Sequence, residues 1–153
     1  MDRMFHRFML CAGLVLLLNS ASALAENTPS TVDVWKSPNC GCCSGWVKHM
    51  KSAGYAVKVQ DTALGILAKI KRQAGLSPDL QSCHTAKIGG YVIEGHVPAE
   101  DVARLLNEKP DAVGLTVPGM PIGSPGMDFG PDKEPYDVLL VKKDGTREVF
   151  AKH

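Results

Sequence analysis

Three cysteines lie within four positions in the stretch SPNCGCCSGW, residues 37–46. Cys40 and Cys43 form a C-x-x-C pair with Cys42 inside it, and this cluster constrains the chain more than any other feature. A bridge among these three closes a tiny loop and stabilises little. A thiol–disulfide enzyme needs one attacking and one resolving thiol, so Cys42 is superfluous for that chemistry. Three thiolates on one turn make a soft-metal site, because thiolates select monovalent copper and zinc.

The flanking pattern says where the turn sits. TVDVW (31–35) is β-branched and aromatic, which predicts a strand. From Cys42 to Ala53 the pattern becomes helical, with Cys43, Val47 and Met50 on one face and Gly54 as the stop. The cysteines therefore fall between a strand and a helix N-terminus. There the helix dipole and free N–H groups lower a thiol's pKa.

Downstream, YAVKVQD (55–61) alternates as a strand and ALGILAKIKRQAG (63–75) reads as an amphipathic helix. Residues 76–85 form a loop, and 85–95 form two short strands about Gly89-Gly90. Helix 96–109 carries Pro98, Glu100 and Asp101 in its first turn. Residues 113–135 are dense in proline and glycine, contain Met120 and Met127, and read as one long functional loop. The end, 136–153, is a hairpin turning at Asp144-Gly145. The predicted class is α/β: a thioredoxin-like β-α-β-α-β-β-α core, a Pro/Gly/Met loop and a C-terminal β-hairpin extension.

That fold supplies more donors. In a thioredoxin-like core the loop that packs on the C-x-x-C carries a cis-proline. Here the position holds Cys83-His84-Thr85, so a fourth thiol and an imidazole should join the cluster. Met120 and Met127 offer thioethers, which favour monovalent copper over zinc. Other residues carry blander expectations. His49 is exposed or capping, and His96 caps or packs rather than ligating. Trp35 and Trp46 shield the site and fill core. Asp61 and Glu94 are single carboxylates without a visible acid–base partner. No phosphate loop, Ser/His/Asp set or H-E-x-x-H is present.

Residues 1–25 read as a secretory signal peptide. Arg3, His6 and Arg7 precede the apolar run FMLCAGLVLLL (8–18), and ALA (23–25) fits a cleavage site. The run is short for a bilayer-spanning helix, so no membrane insertion is expected after cleavage. Residues 26–153 then make a single domain. Cys11 leaves with the leader, and four cysteines remain. Removing Asp2, Arg3 and Arg7 balances acidic against basic residues. A neutral chain without a basic stripe argues against nucleic acid as a partner. An exported compartment permits disulfides.

Three segments together, WKSPNCGCCSGWVKHM, SCHTAKIGGYVIEGHVPAEDVARLL and GLTVPGMPIGSPGMD, resemble the periplasmic CopG-type copper-resistance proteins of Gram-negative bacteria, long filed as a domain of unknown function. The resemblance spans nearly all of residues 26–153. It implies a thioredoxin-like fold and copper bound by Cys40, Cys42, Cys43, Cys83 and His84, with a role in handling excess copper in the periplasm. Four thiolates are enough to bridge several cuprous ions, and the imidazole also suits the divalent state, which leaves copper oxidoreductase activity open. Two alternatives stand beside this: a metal-free thiol–disulfide oxidoreductase using Cys40 and Cys43, and a chaperone handing copper to an efflux or redox partner protein.

Overall fold

The computed structural model describes residues 31–153, and the signal peptide expected over residues 1–25 lies outside them. Among the described residues no helix is long and apolar enough to cross a membrane. The described residues are α/β: among them seven strands make one sheet, with three α-helices. Strand β1 (Thr31–Lys36) leads through helix α1 (Gly41–Ser52) to β2 (Ala56–Asp61) and helix α2 (Leu64–Gln73). A short 3-10 turn, Pro78–Leu80, precedes β3 (Thr85–Ile88) and β4 (Tyr91–Glu94). Helix α3 (Ala99–Glu108), β5 (Ala112–Thr116), β6 (Asp137–Lys142) and β7 (Arg147–Lys152) complete the order.

The sheet runs β2-β1-β3-β4-β5-β6-β7. β1 is parallel to β2 and antiparallel to β3, which is antiparallel to β4. The β1-to-α3 connectivity is the one the sequence pattern called for. Parallel pairs need a crossover that a helix supplies, and α1 serves β1 and β2. The edge position of β2 accounts for its alternation of apolar and polar residues, since most of its side chains are exposed.

β5 was not expected. Residues 113–135 read as one irregular loop, yet Ala112–Thr116 is a buried strand parallel to β4, reached through α3. Its glycine looked like loop chemistry. In fact a Cβ on Gly114 would stand 1.8 Å from the Val92 carbonyl oxygen, so close backbone approach requires glycine there. The register shifts between Ala112 and Gly114, which places a bulge at that contact. The irregular segment therefore begins after Thr116. Lys109 ends α3 in the left-handed conformation (φ 49°) before Pro110, which cannot continue a helix.

The apolar face of α1 packs into the main core. Cys43, Trp46, Val47 and Met50 are buried, with Val32, Val34, Ala86, Ile93 and Val97 among the core residues. Buried indole nitrogens need a partner, and Trp46 Nε1 donates to the Val97 carbonyl at 2.8 Å. This fixes α1 against the segment that follows β4. His49 supports the same junction as a cap, its Nε2 accepting from the Ala99 N–H at 3.0 Å at the start of α3.

Candidate metal centre

Cys40 is the N-cap of α1, and its sulfur accepts from the Cys43 N–H at 3.3 Å. The polar side chain at that position satisfies one of the free N–H groups of the first turn. Cys40 and Cys43 are joined as a disulfide. Cys42 and Cys83 are free thiols. Cys42 Sγ lies 3.5 Å from Cys40 Sγ and 3.8 Å from Cys83 Sγ. The fold thus brings the loop before β3 onto the first turn of α1, and all four sulfurs lie within 4.8 Å of one another.

His84 is fully buried beside Trp46, with ring centroids 4.6 Å apart. Its Nδ1 is 3.4 Å from Cys83 Sγ, while Nε2 has no hydrogen-bond partner among the described residues. The peptide before β3 is not cis, since no cis peptide bond occurs among the described residues.

His96 is the residue that sequence reasoning set aside. Its Nε2 stands 3.0 Å from Cys83 Sγ, its ring meets His84 edge-on at 5.1 Å, and it is fully buried. Capping and packing looked the better roles because His96 stands at the predicted start of the third helix, in GHVP. Only the return of β4 beside β3 brings it back. The available signal was its place two residues after Glu94, which mirrors Cys83 across the β3–β4 pair; the Gly95 N–H donates to the His84 carbonyl at 3.0 Å.

Glu94 was read in the sequence as a single carboxylate without a visible acid–base partner. It is buried and paired with buried Lys71 of α2. Its Oε1 also accepts from the Ser82 N–H at 2.7 Å, and Oε2 accepts from the Thr85 hydroxyl at 2.7 Å. Lys71 Nζ donates to the same Thr85 oxygen at 3.0 Å. This network holds both ends of the Ser82–Thr85 segment, and hence Cys83 and His84. Asp61 likewise has a partner, buried Lys36 at 3.1 Å. Trp35 is half-buried, with Lys87 Nζ 5.8 Å from its ring centroid.

The proline- and glycine-rich segment folds over the centre at two points. Ser82 Oγ donates to the Gly119 carbonyl, next to Met120, and Gly119 N–H donates to the Gln81 carbonyl at 3.2 Å. At the other end Gly126 (φ +87°) sits directly on α1: a Cβ there would be 2.5 Å from both the Cys42 carbonyl and the Trp46 nitrogen. Gly45 is equally tight, since its Cβ would be 2.8 Å from Gly126 Cα. Met120 is 52% exposed and Met127 is partly buried. Replacing Gly126 with alanine should therefore lift this segment from α1. We expect a stability loss of about 1–3 kcal/mol and faster alkylation of Cys42 by iodoacetamide. An unchanged alkylation rate in folded protein would show that the segment does not cover the thiol.

The electrostatics favour neutral donors. Burial, with Cys42 beside it, pushes the Cys83 thiol up to about 12. Burial also holds His84 well below its usual range, and His96 below it too. Because the folded pKa values are lowered, the unfolded chain binds these protons first as pH falls. Their stabilising contribution is complete above about pH 6.5 and is lost below it, at up to ~1.4 kcal/mol per pH unit for each ring. Proton NMR of the ring C–H groups should show both as neutral imidazoles at pH 6.5; a midpoint near 6.5 for either would contradict this.

The family described as "Protein of unknown function, DUF411" matches residues 80–127. No curated protein matches the chain. A solved structure, "Copper resistance protein copG- Form 1", is 40% identical, covers 82% of this chain and 98% of its own, and superposes with a TM-score of 0.77. "Copper resistance protein copG- Form 2" is 39% identical over the same shares, with a TM-score of 0.76. With that identity over nearly the whole of those structures, and the cysteine cluster on one helix turn, the chain belongs to the CopG copper-resistance protein family.

Proposed function

We propose that this is a periplasmic copper-binding protein of copper resistance, exported by cleavage of residues 1–25, with residues 26–153 as a single domain. It captures Cu(I) through Cys40, Cys42, Cys43 and Cys83, with His84 beside them and Met120 and Met127 as thioether donors from the covering segment. The observation that carries the reading is the convergence of four sulfurs within 4.8 Å. Soft sulfur donors select monovalent copper. Four thiolates so close together favour sharing of sulfur between ions over one tetrahedral ion.

Cys40 and Cys43 donate as thiolates only after their disulfide is reduced by a dithiol partner, which gives up two electrons and two protons, becomes a disulfide itself and leaves two thiols here. Cu(I) then displaces the thiol protons, so binding weakens in acid. Imidazole suits divalent copper as well, and cycling between the two copper states is the activity such a centre could support. The cargo is copper, received from or passed to periplasmic efflux or redox proteins.

The test is metal content. Residues 26–153, reduced without oxygen, loaded with Cu(I) and desalted, should retain more than one copper per chain. Exactly one, released readily to a chelator, would favour a chaperone. None would overturn the reading. The second reading, a metal-free thiol–disulfide oxidoreductase, rests on the Cys40–Cys43 bond at the start of α1. It predicts disulfide exchange that survives loss of Cys42.

A further inference from the structure

Cys83, His84 and His96 form a second donor group that shares one sulfur with the cluster but neither half of the disulfide. The His96 tautomer is set by a contact in the covering segment: Nδ1 lies 2.8 Å from the Pro125 carbonyl oxygen. A carbonyl only accepts, so Nδ1 carries the hydrogen and Nε2 keeps its lone pair. That lone pair points at Cys83 Sγ, 3.0 Å away, and the proton between them belongs to the thiol. This is the arrangement by which metal-binding histidines are oriented, the far nitrogen donating to a backbone carbonyl.

His84 completes the set. Its Nδ1 is 3.4 Å from the same sulfur, and its Nε2 has no partner among the described residues. Nothing pins its tautomer, so Nδ1 is able to present a lone pair. Sulfur and nitrogen ligands of one tetrahedral ion stand about 3.5 Å apart, given metal–sulfur and metal–nitrogen bonds of about 2.3 and 2.0 Å. The two sulfur–nitrogen distances here need to open by about half an ångström at most to seat an ion.

We propose that Cys83, His84 and His96 make a mononuclear metal site that stays available while Cys40–Cys43 is oxidised. The entering cation takes the place of the Cys83 thiol proton, which leaves to solvent, and no electron is transferred. One sulfur with two imidazoles suits borderline cations and copper in either oxidation state, in contrast to an all-thiolate cage. This deepens the reading above by giving the oxidised protein a place to hold one ion. Pro125 then has a function beyond shaping a loop, since its carbonyl fixes the lone pair that binds. Sequence motifs do not reveal this contact, because residues 96 and 125 meet only in the fold.

The probe is Co(II), which does not oxidise thiols and reports sulfur ligation by an intense near-ultraviolet charge-transfer band. Residues 26–153 with the Cys40–Cys43 disulfide intact, as checked by mass, should bind one Co(II) per chain and show that band. Cys42→Ser should keep it. Cys83→Ser should lose the band, and His96→Asn should weaken binding at least tenfold. If His96→Asn does not fold, Cys83→Ser decides alone: retention of the band overturns the site. Failure of oxidised wild type to bind Co(II), while reduced protein still takes up Cu(I), overturns this site and leaves the thiolate centre standing. Failure of both overturns both.

Discussion

Cys42→Ser should strip the reduced protein of most of its copper. The loss of affinity should exceed the roughly 10–100-fold cost of removing a residue that only orients a ligand, because Cys42 Sγ stands between Cys40 Sγ at 3.5 Å and Cys83 Sγ at 3.8 Å. Serine is nearly isosteric, and Cys42 is only partly buried, so the fold should survive with little change in unfolding midpoint. Copper per chain after desalting, and the apparent Cu(I) affinity in competition with a chelator, are the readouts. Copper content equal to wild type would remove Cys42 from the ligand set. The same variant separates the two functional readings, because exchange through Cys40 and Cys43 does not require it.

The largest stability effect should come from a buried ion pair that itself offers no ligand to the centre. Lys71 and Glu94 are both buried and bonded to each other. Burial pushes the Glu94 carboxyl up, and Lys71 opposes that by stabilising the charged form. Removing one partner strands the other in the core, which costs about 3–5 kcal/mol. We therefore expect Lys71→Met to lower stability in urea by that amount. Glu94→Gln should cost less, since the amide can still accept from the Ser82 N–H. A loss below about 1 kcal/mol for Lys71→Met would mean the pair is hydrated. Because Glu94 holds both ends of the Ser82–Thr85 segment, folded Glu94→Gln should also bind copper less tightly, even though neither side chain is a donor.

Why Lys71 is buried was not legible from residues 63–75. Helical spacing placed an amphipathic helix there, and a lysine on such a helix ordinarily faces water. What overrides the rule is a carboxylate 23 residues downstream, and no local pattern encodes that partner. The same limit explains β5. Its glycine reads as a loop former until the Val92 backbone is beside it, and then it becomes the only residue that fits.

The sequence by itself determined the local elements and the chemistry they could carry. β-branched runs, helical spacing and turn glycines located the seven elements of the β1-to-α3 order and the hairpin, since these follow from near-neighbour sterics and periodicity. The Cys40–Cys43 cluster was legible because its donors are adjacent in the chain. Cys83 and His84 were expected at the cluster only through the predicted fold, and the tertiary structure brings them there. His96, the Lys71–Glu94 pair and the docking of Gly126 on α1 were decided by tertiary structure alone. Each depends on two segments meeting across many residues, and such a meeting is fixed by packing of the whole sheet and its helices, which leaves no periodic trace in either segment.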